Sequence, residues 1–546
     1  MQTSAARSRP AIAPVLAMVL GLVAALVAPA TPAAAAGHAR ITGTGSSWSA
    51  NALNQWVADV AKRDLQVDFT ATGSASGRKD FAAVATDFGI SDIGFRGKDP
   101  TTGTRDDAQG RAFAYLPIVA GGTAFVYQVR VGGQLVRNIR LSGETLAKIF
   151  FGQITNWNDA QITADNNGTK LPSLPIIVVV HSEGSGSTAQ FTSYLAKQYP
   201  ALWRAYSGMT EFTEYFPTKP KTGTRKPPIA VSGSDLVINT VTAGSSNGAI
   251  GYDEYSYALG ADYPVVDLEN AAGYFTKPTD FNVAVALRAA DINMDKTNPL
   301  TYLLQKLDRV YVNPDIRTYA LSSYSYLILP TGNDARMNSE KRQTLVDFMA
   351  YSICTGQSSM GISGYSPLPI NLVQAGFEQL QKLHDIDPTV TVAAQPVNTC
   401  NNPTFIAGKP NENHLAVIAP NPPDCAKRGK GPCTVAGSPT GSTGGNGNGN
   451  GGGGNGSGGT TTNPSASGAA SAAAQIDPDT GEVISGGGGG SGGGDVNAVG
   501  VPNDLAAFKT GKHMQVLGPT AAVLLLLVVF GPALLGRWLR RRREGS

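Results

Sequence analysis

Three short turns in this chain carry the groups that grip an anion. They read Gly43-Thr-Gly-Ser-Ser-Trp48, Gly73-Ser-Ala-Ser-Gly77 and Glu183-Gly-Ser-Gly-Ser187. Each runs into a helix-like pattern. The first N–H groups of a helix have no intrahelical partner, and the helix dipole adds partial positive charge there. Ser46, Ser47, Trp48, Ser74, Ser185, Gly186 and Ser187 therefore offer hydroxyl and amide donors at three helix starts. Asp92, closing Asp87-Phe-Gly-Ile-Ser-Asp92, adds an acceptor. A carboxylate in an anion site selects a ligand that still carries a proton and repels fully ionised rivals. The chemistry is oxyanion capture by hydrogen bonds, with neither a metal nor a covalent bond. A bland reading stands beside it. An N-cap explains any one serine, a positive-φ turn explains the glycines, and a loop cap explains Asp92.

The surrounding patterns supply elements to hold these turns. Leu53, Trp56, Val57 and Val60 recur at helical spacing after the first turn, as Phe191, Tyr194 and Leu195 do after the third. Phe81 and Val84 give the second helix its apolar face. Leu65-Gln-Val-Asp-Phe69 alternates as a half-buried strand, and Ile176–Val180 is a β-branched run typical of a buried one. Strand, glycine turn, helix is α/β wiring, which places ligands outside the carboxyl ends of strands.

Further motifs follow in order: Leu116-Pro-Ile-Val-Ala-Gly-Gly122, Ile149-Phe-Phe-Gly-Gln-Ile-Thr-Asn-Trp157 and Gly248-Ala-Ile-Gly-Tyr-Asp-Glu-Tyr255. With Ile41–Trp48, Thr72–Gly77, Asp87–Asp92 and Gly184–Leu195, their order and spacing resemble the phosphate-binding receptors of bacterial ABC phosphate importers. The resemblance spans about Ile41 to Leu383. It implies a two-lobed, Venus-flytrap (type II) binding protein. Lobe I would take residues 37–119 and 320–406, and lobe II residues 120–319, with hinge crossings near Val119 and Tyr319. Position by position, Ser47 and Trp48 match the family's Thr-Phe at the first helix start, and Ser74 matches its serine. Asp92 matches the aspartate that takes the proton of bound phosphate. Ser185, Gly186 and Ser187 match its Ser-Gly-Thr. One departure stands out. Where the family places an arginine paired with an aspartate two residues on, this chain has His181 and Glu183. Arginine grips oxyanions in a bidentate fork, whereas histidine is mostly neutral near pH 7 unless a partner holds its proton. Glu183 is such a partner, and Arg78 and Arg96 are the other cations within reach in sequence.

The two ends read as targeting segments. Arg7 and Arg9 precede the apolar run Ala11–Val27, and Ala34-Ala-Ala36 fits a cleavage site, so residues 1–36 are expected to be a signal peptide. Residues 516–536 are apolar and uncharged over a bilayer-spanning length, followed by a basic tail at 537–546. The positive-inside rule places that tail in the cytoplasm and the rest outside, as a single-pass membrane protein. Residues 438–498 are Gly/Ser/Asn-rich and read as a flexible tether, interrupted by Ile476–Ile484. The chain carries +3 overall; without Arg7, Arg9 and the +4 of the tail, the portion between stands at −3. That excludes a nucleic-acid-binding surface and leaves any anion to local fields. Cys354, Cys400, Cys425 and Cys433 meet an oxidising space, where disulfides are the default. Neighbour pairing is preferred among three connectivities, with the second pair inside an extension at 407–437. The spacing lacks a C-x-x-C pair, which sets a zinc site far behind.

Three functions compete. The leading one is a membrane-tethered receptor for phosphate or a similar oxyanion, without cofactor, serving an importer whose permease and ATPase are separate chains, since no P-loop occurs. The second is a flytrap with little ligand affinity, recruited as a surface sensor or envelope-interaction protein. The third is an acyl-serine enzyme, from Ser76-Gly-Arg-Lys79 and Lys221-Thr-Gly223. It lacks the middle S-D-N, and such short matches are common by chance.

Overall fold

The computed structural model describes residues 37–219, 226–393 and 397–435. The expected signal peptide, tether, membrane span and basic tail lie outside these residues. Among the described residues, no helix is long and apolar enough to cross a membrane.

Eight strands form one mixed sheet. They are β1 (Ile41–Gly45), β2 (Val67–Ala71), β3 (Phe88–Ser91), β4 (Phe113–Tyr127), β5 (Ile177–His181), β6 (Ile229–Val231), β7 (Ala249–Glu254) and β8 (Ser322–Pro330). Their order is β6-β5-β7-β4-β8-β3-β1-β2. At one end β2, β1 and β3 run parallel; at the other, β6, β5 and β7 do. The long β4 joins the two ends. Its residues Phe113–Gly122 pair antiparallel with β8, and Thr123–Tyr127 pair antiparallel with β7. Every residue of β4 is buried, as a strand covered on both faces must be. The chain thus builds two α/β halves, lobe I around β1–β3 and lobe II around β5–β7, with β4 and β8 at the centre.

The helices that follow the strands are α1 (Ala50–Ala61), α2 (Ser74–Ala82), α3 (Gly186–Gln198) and α4 (Ser234–Thr242), with α5 (Ser339–Ile353) and α6 (Ile370–Ile386) completing lobe I. Leu53, Trp56 and Val60 of α1 and Phe191, Tyr194 and Leu195 of α3 are buried, as their spacing predicts, while Val57 is half-buried at the edge of that face. Two expectations need correction. The second strand begins at Val67, two residues later than the alternation beginning at Leu65 suggests. Val84 lies beyond the end of α2 at φ 55° and is exposed, so Phe81 alone anchors that face.

Both disulfides join sequence neighbours, Cys354 to Cys400 and Cys425 to Cys433. The first closes a loop of 46 residues across α6, which in the chain-entropy picture stabilises the fold by about 4 kcal/mol.

Candidate functional site

The three Gly/Ser turns meet at one place, where strand ends feed helices. Ser46, Ser47 and Trp48 link β1 to α1 and are all buried. Neither serine caps α1; the N-cap position is Ser49, whose side chain makes no capping bond. Instead Ser46 Oγ donates to Asp92 Oδ2 at 2.6 Å. Ser74 Oγ, in the first turn of α2, donates to the same oxygen at 3.1 Å. Ser325 Oγ donates to Asp92 Oδ1 at 2.6 Å. Ser325 sits where β8 shifts register against β4, and such irregularities re-aim side chains. Burial pushes the Asp92 carboxyl above its usual range, and the hydroxyls of Ser325, Ser46 and Ser74 pull it partly back. A carboxyl so placed is suited to sharing a proton with a ligand.

Lobe II presents the start of α3 to this carboxylate. Ser185 is the N-cap, its Oγ accepting from the Thr188 N–H at 3.3 Å, so the bland reading holds for that one serine. Gly186 lies directly against Asp92. An ideal Cβ built there falls 1.7 Å from Asp92 Oδ2 and 2.6 Å from Ser74 Oγ. Only glycine permits this approach. Ser187 Oγ is buried and has no hydrogen-bond partner.

A second cluster adjoins the first. Ser234 Oγ donates to Ser47 Oγ at 2.8 Å and lies 2.8 Å from Asp253 Oδ1. His181, at the end of β5, places Nδ1 2.7 Å from Glu183 Oε1 and Nε2 3.7 Å from Asp253 Oδ2. Burial lowers the His181 pKa, but the Glu183 hydrogen bond and the charges of Asp253 and Glu183 outweigh it, so the ring is held above its ordinary value. Burial raises Glu183, and the contact with His181 more than offsets that, leaving it below the usual range. Asp253 is pushed up to about 6, chiefly by burial.

These signs fix a pH dependence. His181 stabilises the fold fully below its unfolded value of about 6.5, and the contribution is lost as pH rises through its higher folded value. Asp253 likewise loses stability as pH rises through about 6. Glu183 contributes above about 4.5 and loses it on further acidification. Asp253 contributes fully only below about 3.8 and has lost that by about 6, so between roughly 4.5 and 6.5 the pair that acts together is His181 and Glu183. Thermal melts of the wild type are expected at higher temperature at pH 6 than at pH 8, and His181→Gln should flatten that difference. An unchanged slope in the variant would contradict this assignment.

Neither arginine replaces the missing fork. Arg78, 1% exposed, bonds Asp106 at 3.0 Å, Ser91 Oγ at 2.9 Å and Glu214 Oε1 at 2.5 Å. It ties lobe I to lobe II. Arg96 lies over the Phe212 ring at 4.0 Å. It lines a cavity of about 490 Å³ that also touches Asp92 and carries Lys98, Lys197 and Lys306 on its walls. Glu211 and Asp308 share those walls, and Asp308 pairs with Lys197 at 2.7 Å, so the charge there is mixed.

Direct bonds hold the lobes closed. The Ala75 N–H donates to the Gly184 carbonyl at 3.0 Å, Gln190 Nε2 to the Asp92 carbonyl at 3.0 Å, and Tyr257 Oη to the Ser47 carbonyl at 2.7 Å. Sequence reasoning missed Ser234, Asp253 and Ser325 in this site. Ser232-Gly-Ser234 after β6 is a fourth turn of the same kind and carried a usable signal. Ser325 carried none, because its neighbour Asp92 is 233 residues away.

The model of a PBP superfamily domain matches residues 29–355. The chain belongs to the PBP superfamily. The phosphate-binding protein PstS of Xylella fastidiosa is 29% identical over 337 residues, covering 61% of this chain and 83% of that protein. PstS of Methanocaldococcus jannaschii is 26% identical over 351 residues, 63% of this chain and 86% of that one. PstS 2 of Mycobacterium tuberculosis is 29% identical over 339 residues, 61% and 84%. Among solved structures, a high-affinity periplasmic phosphate-binding protein bound with phosphate aligns at 20% identity with a TM-score of 0.47, over 62% of this chain and 92% of that one. These relatives are binding proteins by name. Of the acyl-serine motif, Lys79 is exposed on α2, and Lys221–Gly223 lies outside the described residues.

Proposed function

We propose that the chain is a receptor that closes its two lobes on phosphate or a similar partly protonated oxyanion. The observation that carries this is the meeting of Asp92, Ser46 and Ser74 from lobe I with Gly186 from lobe II, where the next residue, Ser187, keeps a buried hydroxyl without a hydrogen-bond partner. Hydroxyls rotate freely, so the serines that donate to Asp92 can turn to a ligand oxygen. The α3 amides complete the shell, and Asp92 accepts the ligand's proton. The similarity to PstS proteins supports phosphate as the anion, delivered to an ABC permease on separate chains. The apolar span at 516–536 and the leader at 1–36 support export and single-pass anchoring, with the binding domain outside. Calorimetry of the mature protein tests the reading: heat with phosphate supports it, and silence with phosphate, arsenate and sulfate overturns it.

One observation favours a second reading, a flytrap of low affinity acting as a surface sensor. The Asp92 carboxylate already accepts three hydroxyls and faces the start of α3. An internal anion there competes with an external one.

A further inference from the structure

Beyond Cys400 the chain does not end in lobe I. It travels across the hinge and reaches lobe II by Cys433. Its start is pinned to lobe I by the Cys354–Cys400 disulfide at the end of α5. Asn402 Nδ2 and Thr404 Oγ1 each donate to the Leu368 carbonyl at 2.9 Å. A short helix, His414–Ile418, then buries Leu415 and Ala416 against Phe281, Ala284 and Val285 of the Asp280–Leu287 helix. That helix meets the hinge, because the Tyr319 N–H reaches the Asn282 carbonyl at 3.4 Å and Tyr319 Oη donates to the Thr123 carbonyl at 2.7 Å. Arg317 Nη1 holds the carbonyls of Ala416 and Ala419 at 3.2 and 3.1 Å.

The far end is fastened to lobe II by several side chains. Buried Arg140 donates to the Cys425 carbonyl at 3.0 Å, and Asn138 Nδ2 to the Cys433 carbonyl at 2.8 Å. Arg428 forms an ion pair with Glu269 and lies 3.5 Å from Asp165. The Cys425–Cys433 disulfide closes this end into a small loop that presents those carbonyls.

We propose that residues 401–435 are a strap that limits how far the lobes open, with the Cys354–Cys400 disulfide anchoring its lobe I end and the Cys425–Cys433 loop seating its lobe II end. The sequence pointed to two hinge crossings; the strap is a third. Hinge closure needs only a few residues to absorb the change in backbone angle. A third covalent crossing fixed at both ends narrows the range those residues can use. The device needs no ligand, so it stands or falls apart from the phosphate reading.

Severing the folded strap tests this. A site-specific protease sequence is inserted at Lys409–Pro410, an exposed loop tip where insertions are tolerated, and the full chain is cut after purification. Amide exchange is compared before and after the cut. The Ala75 amide, bonded across the cleft to Gly184, is expected to exchange about tenfold faster after cutting, while amides of α5 and β1 keep their rates. Arg428→Ala in the uncut chain should move Ala75 the same way by a smaller factor. Unchanged exchange at Ala75 after cutting overturns the proposal. Faster exchange throughout α5 and β1 also overturns it, since the segment would then merely stabilise the lobes.

Discussion

Gly186→Ala is expected to weaken phosphate binding by at least about a hundredfold while leaving each lobe folded. The new methyl would sit 1.7 Å from Asp92 Oδ2 and 2.6 Å from Ser74 Oγ. Neither group can yield cheaply. Asp92 is buried and takes hydrogen bonds from Ser46, Ser74 and Ser325. The lobes must part instead, and the bonds from Ala75 to Gly184 and from Gln190 to Asp92 part with them. Calorimetry reads the affinity, and small-angle scattering reads the wider molecule. A variant that binds like wild type and keeps its dimensions would place the binding locus elsewhere.

The second large effect is on stability. Arg78→Met strips from Glu214 Oε1 its ion-pair partner among the described residues, and that carboxylate is 0% exposed. Breaking a buried pair from one side costs about 3–5 kcal/mol, because the remaining charge stays desolvated. Burial works against the arginine's charge, but Glu214 and Asp106 more than restore it. Chemical denaturation should show the loss in Arg78→Met and a substantial recovery in Arg78→Met/Glu214→Gln, since the two residues touch and their effects are coupled. A loss below about 1 kcal/mol in the single variant would show that the pair is solvated in solution.

Much of this site was readable in the sequence because its donors are local. A glycine turn between a strand and a helix announces itself within six residues, and Ser46, Ser74 and Gly186 all stand in such turns. Cysteine pairing followed sequence neighbours for the same reason. What escaped depends on contacts made at long range. Ser325 reaches Asp92 from a hinge strand, and Arg78 finds Glu214 across 136 residues. Ser47 was a fair N-cap by type, yet its hydroxyl accepts from Ser234 in the other lobe. Ser185 went the other way and is a cap in fact. The path of residues 401–435 over the hinge has no sequence signature at all, because its seats are carbonyls gathered by Arg140, Asn138 and Arg317.

With a histidine at 181, where the resembled family has an arginine, the buried groups around the turns lean acidic. Asp92, Glu183, Glu214, Asp253 and Glu254 are opposed by His181 and Arg78, while Arg96, Lys98, Lys197 and Lys306 stand on the adjoining cavity beside Glu211 and Asp308. Glu254 is itself pushed well up by burial. On the proposed reading, an anion there would rely on protons held in the cleft and on the α3 amides, because the Arg78 guanidinium is already taken by Asp106, Ser91 and Glu214.

Side-by-side titration of wild type and Asp92→Asn with phosphate and with sulfate bears most directly on proton-dependent oxyanion capture. Phosphate should bind the wild type and sulfate should not, because Asp92 needs a proton to accept. Asp92→Asn should weaken phosphate and admit sulfate, its amide now donating where the carboxylate repelled. Equal heats from the two anions in the wild type, or none from either, would contradict the account.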